Sequence, residues 1–201
     1  MTEASDDTSR PLARGGRPRD ETIEERVLPI VREMLVEVGW NDLSLRAVAA
    51  RTGVARPTMN RRWNSKAELV LDAIFGDLSD FDRIVGLDRA GWIESVFSVS
   101  RELFDRPDFR SALPGLLSTF DQDPALARKL WNTLAKPATA AFADETDRQH
   151  PGAAEIDALA MLVIAAGAAL FASVIPSEAI MTPVQQRVDQ LLRSLTERTV
   201  P

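Results

Sequence analysis

Between Ser44 and Trp63 the chain carries five arginines, Arg46, Arg51, Arg56, Arg61 and Arg62, and no acid. A guanidinium is a planar fork of donors that stays charged at any physiological pH, so such a cluster suits phosphate oxygens or the O6 and N7 acceptors of guanine. Other chemistries are poorly supplied. There are no cysteines and one histidine, His150, in a loop-like Arg-Gln-His-Pro-Gly segment, which excludes disulfides, thiolate sites and a multi-histidine metal site. Asp121 with Asp123, and Asp144 with Glu145 and Asp147, fall at expected helix ends, where carboxylates cap helices or solvate loops rather than hold a cation. No nucleophile with a base, phosphate-cradling glycine loop or zinc spacing is visible. The chain therefore does not read as an enzyme, and no cofactor or metal is expected.

The formal net charge of −6 argues against nucleic acid only as an average. Arg10 to Lys66 holds 12 basic against 7 acidic residues, whereas Ala67 to Pro201 holds 12 against 20, so a basic module is attached to an acidic body. The richest apolar stretch, Ile156 to Ile175, is interrupted by Asp157, Gly167 and Ser173 and reads as a buried helix rather than a membrane span. The N-terminus has Asp, Ser and Arg where a secretory signal needs an apolar core, which makes the cytoplasm the expected location.

The elements that would position the arginines follow from local pattern. Residues 1–20 are polar and broken by Pro11, Gly15, Gly16 and Pro18, so they read as a flexible basic arm. From Glu21 an apolar stripe at helical spacing runs through Val27, Ile30, Val31, Met34, Leu35 and Val38, with Gly39 to end it and Pro29 expected to kink it or fray its start. Ser44 caps a short helix stopped by Gly53, and Pro57 fits only the first turn of the next. Ser65 with Glu68 forms a capping box for a fourth helix carrying Leu69, Ala73 and Ile74 inward. Two short helices around Thr52-Gly53-Val54 make a helix-turn-helix. Beyond Gly76, helices are expected from Arg89 to Phe104, Asp108 to Phe120, Pro124 to Ala143, Ala153 to Val174 and Pro183 to Thr196. Asp123-Pro124 and Thr182-Pro183 are their clearest starts, and Pro114 and Pro137 are expected bends.

The run from Leu43 to Leu69, with Gly39-Trp40 before it, resembles the tetracycline-repressor family of bacterial regulators over residues 21–74. Ser44, Val48-Ala49, Gly53-Val54, Thr58, an aromatic at Trp63 and Lys66 carry the likeness. The resemblance implies an all-α chain of about nine helices. A three-helix DNA-binding head would be joined by a linking helix to a ligand-binding and dimerisation domain over residues 75–201. It implies a homodimer whose recognition helices enter successive major grooves of a palindromic operator, roughly one turn or ~34 Å apart. Such proteins usually repress, and release DNA when a small molecule binds. Arg56, Pro57, Thr58, Asn60 and Arg61 then lie on or beside the recognition helix, and Ser44 and Lys66 at positions that usually meet phosphate. Arg46 is counted with the DNA-binding candidates. Asn60 departs from the family's usual tyrosine, making a phosphate contact less certain and an adenine contact conceivable. Arg62 replaces a frequent histidine or tyrosine and reads as a phosphate clamp. Trp63 reads as core. Arg17 and Arg19 of the arm are candidates for the minor groove, the alternative being a solubilising tail.

In the body, Trp92, Phe97, Phe104, Phe120, Trp131 and Met161 are the candidate lining of a pocket for a largely apolar effector. Ala158, Ala165 and Ala169 on one helix, with Val184, Val188, Leu191, Leu192 and Leu195 on the last, are the candidate dimer interface; the alternative is that these faces pack within one subunit. The expected partners are double-stranded operator DNA, a small molecule and a second copy of the chain, with no membrane. A helix-turn-helix protein that senses nothing is the rival reading.

Overall fold

The computed structural model describes residues 21–76, 87–140 and 153–174, and in a last helical stretch residues 183, 184, 186–188, 190, 191 and 194. Every regular element among them is helical. Arg17 and Arg19, Phe142, the acids at 144, 145 and 147, His150, Thr182, Leu192 and Leu195 lie outside the described residues.

Helix α1 (Glu21–Asp42) buries Val27, Val31, Met34 and Leu35 along one stripe. Pro29 sits on its exposed side and does not break it; the only non-helical dihedrals inside α1 are at Gly39, whose φ of 75° a residue without Cβ adopts freely. That turn changes the expected register. Val38 leaves the stripe and is 43% exposed, and Trp40 takes the inward place instead.

Helix α2 (Leu45–Thr52) starts where the Ser44 Oγ accepts a hydrogen bond from the Ala47 N–H (3.2 Å) and stops at Gly53 with φ 68°. Helix α3 (Arg56–Arg62) has Pro57 in its first turn and no side-chain cap. Helix α4 (Lys66–Phe75) begins with the Ser65 Oγ accepting from the Glu68 N–H (3.1 Å), while the Glu68 carboxylate accepts from the Asn64 N–H (2.9 Å). The expected capping box is therefore present, shifted one residue upstream on the return side. Seven of the ten residues of α4 are buried, as befits a helix that is apolar nearly all round.

Asp88 caps α5 (Arg89–Asp105) by accepting from the Gly91 N–H (2.8 Å), and α6 (Pro107–Gln122) carries Pro114 inside it without ending. Asp123 caps α7 (Pro124–Leu130), accepting from the N–H groups of Ala125 and Leu126. The helix then widens into a π turn, Trp131–Ala135, and continues to residue 140. Pro137 accounts for the widening: its ring crowds the Thr133 carbonyl, and a π turn immediately upstream relieves that clash without ending the helix. Helix α8 (Ala153–Val174) follows.

Two apolar cores result. The first joins α1 to α4 with Leu103, Phe109, Ala112, Leu116 and Leu126, so the packing of the head continues across residue 75 into the body; Phe75 meets Phe109 edge-on at 6.1 Å between ring centroids. The second joins α5 to α8 through Trp92, Ile93, Val96, Phe97, Ala158, Ala165 and Ala169. Head and body are further tied by the Ser111 hydroxyl, which donates to the Leu35 carbonyl (2.6 Å), and by Trp40, whose indole lies flush on the backbone of Gly115. A methyl group at Gly115 would overlap that ring. Helix propensity alone would favour Gly115→Ala by ~1 kcal/mol. Overpacking at this joint costs ~1–3 kcal/mol, so the variant is expected to melt at a lower temperature, and Trp40→Ala in the same background to remove the penalty. A raised melting temperature for Gly115→Ala alone contradicts the joint.

Candidate nucleic-acid interface

Seven residues cannot hold a helix in water by themselves, so α3 must be fixed from one side. Met59 and Trp63, spaced i and i+4, are both fully buried, and the Trp63 indole Nε1–H donates to Asp72 Oδ2 of α4 (2.9 Å). With that face inward, Arg56, Pro57, Asn60 and Arg61 stand exposed and Thr58 half-buried beside them; Arg46 is exposed on α2.

The structure divides the basic residues into two groups. Among the described residues, Arg46, Arg56, Asn60 and Arg61 have no hydrogen bond or ion pair from their side chains. Arg51, in contrast, grips Glu37 with both terminal nitrogens, one at 2.8 Å and one closer, and holds that carboxyl below its ordinary range. Arg62 places Nε 2.9 Å and Nη2 2.6 Å from Glu24 Oε1, bracing α3 against α1, and its side chain is only 17% exposed. Arg26 donates to the Thr52 carbonyl (3.0 Å) at the end of α2. The expected phosphate clamp at Arg62 thus sits in a structural ion pair.

Ser44 is engaged as a cap through its oxygen, which leaves its hydroxyl proton to donate outward. Lys66 donates to the Trp40 carbonyl (2.7 Å) and lies 4.6 Å from the centroid of that ring. Burial pushes its pKa down, with Asp42 opposing. A cation at the first position of a helix also works against the helix dipole. The Trp40 carbonyl and ring offset these costs.

Behind the head, a cavity of about 390 Å³ lies among α5, α6, α7 with its π turn, and α8, touching Phe75 of α4. Of the expected lining, Phe104, Phe120 and Trp131 are there, with Leu103, Phe109, Leu113, Leu116, Leu117, Leu130, Leu134, Leu162 and Val163 among the others. Phe109, Leu113, Leu116, Leu117 and Phe120 form one helical stripe of α6, a signal legible in the spacing. Among the described residues of the wall, Ser100 and the indole N–H of Trp131 are the polar side-chain groups. Trp92, Phe97 and Met161 are not in it. They pack in the second core, where the Trp92 Nε1–H donates to the Ala138 carbonyl (3.1 Å).

The expected dimer residues also separate. Ala158, Ala165 and Ala169 are fully buried inside the subunit against α5, which removes them from any surface; the small-residue face of α8 serves the intramolecular core. The opposite face exposes Ile156 (69%), Val163 (62%), Ile164 and Phe171 (71%), so the helix expected to be buried is buried on one side only within the subunit. Glu155–Ser173 is long and apolar enough to cross a membrane by composition alone. Val184 and Leu191 are exposed, and Val188 packs partly against the second core. Among the described residues no group of acids, histidines or cysteines could hold a metal ion.

Residues 32–73 match the sequence profile of the bacterial regulatory proteins of the tetR family. The chain is 29% identical over 65 residues to the HTH-type transcriptional regulator YdeS of Bacillus subtilis, covering 32% of this chain and 33% of that protein. It is 28% identical over 127 residues to the DNA-binding transcriptional repressor TetR of Mycobacteroides abscessus, covering 62% and 66%. These matches thus span a third to just under two thirds of the relatives' lengths. A crystal structure from Pseudomonas aeruginosa PAO1, described as a transcriptional regulator, shares the fold at a TM-score of 0.58 and 17% identity over 92% of this chain and 93% of that one.

The division of the arginines has a direct consequence for stability. Arg62→Ala is expected to lower the free energy of unfolding by ~1–3 kcal/mol, because it strands the Glu24 carboxylate. Arg61→Ala, at a side chain without a protein partner, is expected to stay within ~0.5 kcal/mol of the parent. Urea unfolding at neutral pH checks both, and equal losses would contradict the division.

Proposed function

We propose that this chain, a TetR-like transcriptional regulator with a helix-turn-helix head, binds a palindromic operator as a homodimer and releases it when a largely apolar small molecule enters the cavity. Repression in the bacterial cytoplasm is the mode of action this reading favours. One observation carries it: α3 is clamped from within by Met59 and Trp63 and presents Arg56, Asn60 and Arg61 outward with no partner among the described residues. Unpaired guanidinium groups on one short helix repel each other, an arrangement that a duplex, with its phosphates and guanine acceptors, would relieve.

Arg56 and Arg61 are assigned to base edges. Arg46, Ser44 and Lys66 are assigned to phosphates flanking them, Pro57 and Thr58 to close approach along the groove wall, and Arg62 to holding α3 at its angle through Glu24. Arg17 and Arg19 remain candidates for an adjacent minor groove. The exposed apolar face of α8, with Val184 and Leu191, supports a second copy as partner, since two such faces would bury each other. The cavity supports the effector: its wall offers contact area and almost no polar groups, so recognition would rest on shape and apolar burial.

Selection of bound duplexes from a random pool tests the reading. It should enrich a twofold-symmetric site with half-sites about one helical turn apart. Arg61→Ala should then lose ~1–3 kcal/mol of discrimination at one base position in each half-site while other positions keep their preference. Enrichment of no sequence, or a uniform loss on all sequences for Arg61→Ala, would refute it.

A further inference from the structure

Lys129 lies on α7 between two residues, Ala127 and Leu130, that line the cavity, yet its ammonium points away from the cavity to α4. Its Nζ is 3.1 Å from Glu68 Oε1 and 2.7 Å from Asp72 Oδ1. The other oxygen of each carboxylate holds the end of α3: Asp72 Oδ2 accepts from the Trp63 indole N–H (2.9 Å), and Glu68 Oε2 accepts from the backbone N–H of Asn64 (2.9 Å) and from its Nδ2 (3.1 Å). A single cation therefore bridges the two carboxylates that fasten the C-terminal end of the reading helix, and the helix bearing that cation is a wall of the cavity. We propose that Lys129 is a positioning residue through which occupation of the cavity controls the pose of α3.

Glu68 and Asp72 are four residues apart on α4, a spacing at which like charges repel on a helix. They share a part-buried site, with Lys129 Nζ within 3.1 Å of both. Burial pushes the Glu68 carboxyl up, but the Asn64 backbone N–H and the Lys129 ammonium outweigh it and hold the group below its ordinary range. With Lys129 in place, both carboxylates are drawn to one point, each with its other oxygen aimed back at Trp63 or Asn64. An occupant that pushes α7 outward by an ångström or so lengthens both contacts together. The acids then repel, and the hydrogen bonds they accept from Trp63 and Asn64 loosen. Base-edge contacts need α3 placed to a fraction of an ångström, so a small loosening suffices to weaken reading. Ion pairs that merely brace a surface would lack the two carboxylate-to-α3 bonds.

The proposal rests on the reading of α3 as the operator-contacting helix and of the cavity as the effector site. Its test uses the full-length protein and the selected duplex. Lys129→Met is expected to weaken duplex binding by about tenfold with an unchanged slope against salt, since no phosphate contact is removed. In ¹H–¹⁵N spectra the Trp63 indole N–H should shift and exchange faster with solvent. Lys129→Arg should restore most of both, and Glu68→Gln, which breaks the same contact from the other side, should reproduce the loss should the lysine variant fail to fold. Ser100→Phe, a tethered occupant entering the cavity from α5, should weaken binding by about fivefold in the parent and by less than about twofold on top of Lys129→Met. Any of three results overturns the proposal: Lys129→Met binding within twofold of the parent, an unmoved Trp63 indole signal, or losses for Ser100→Phe and Lys129→Met that multiply. Should the unmodified protein bind no duplex, the operator reading fails instead, and the indole signal still decides whether Lys129 holds the end of α3.

Discussion

The burial of Trp63 is the constraint on which the rest depends. A helix of two turns such as α3 has too few internal hydrogen bonds to set against the entropy of fixing its backbone, so its direction is decided by what it is pinned to. Met59 and Trp63 supply two adjacent apolar anchors on one side, and the Trp63–Asp72 hydrogen bond fixes the rotation of the larger one. Once that side is inward, the opposite side is determined, and it carries the guanidinium groups. An arginine-rich helix without such anchors would dissipate its charge in a mobile loop. Anchored, it becomes a preorganised donor array.

The acids of α1 complete the arrangement by consumption. Glu24 and Glu37 pair Arg62 and Arg51, and those pairs clamp α1 to α3 and to α2 respectively. The exposed side chains left without partners among the described residues, Arg46, Arg56 and Arg61, lie on α2 and α3. The head is not insulated from the body. Its core runs through Phe75 into α6, and Trp40 rests on Gly115, so displacement of the body helices is transmitted through packed atoms rather than across a linker.

What was legible in the sequence was whatever is decided within one turn of helix. Ser44, Gly53, Ser65 and Asp123 declared their caps because the competing chemistry, a side-chain oxygen for an orphan N–H or a free φ for a reversed carbonyl, is local. The all-helical fold followed from periodicity, and Trp63 read most simply as core. What was not legible depends on partners distant in sequence. Nothing near Arg62 indicates that Glu24, 38 residues away, will hold it, and nothing near Lys129 indicates Glu68, 61 residues away. The alanines of α8 signal close approach of another helix, but composition does not say whose; α5 of the same subunit takes that place, leaving the bulkier residues outward. Among the aromatics, Trp92 and Phe97 differ from Phe104 in role only through which side of α5 faces α8 and which faces α6.

The central claim, that the outward face of α3 meets guanine edges in two symmetric copies, is tested most directly by methylating guanine N7 across a bound site and finding which modifications block binding. The account predicts interference at guanines in two clusters, related by twofold symmetry and about one helical turn apart on the same face of the duplex. Binding indifferent to N7 methylation, or interference confined to a single cluster, would contradict it.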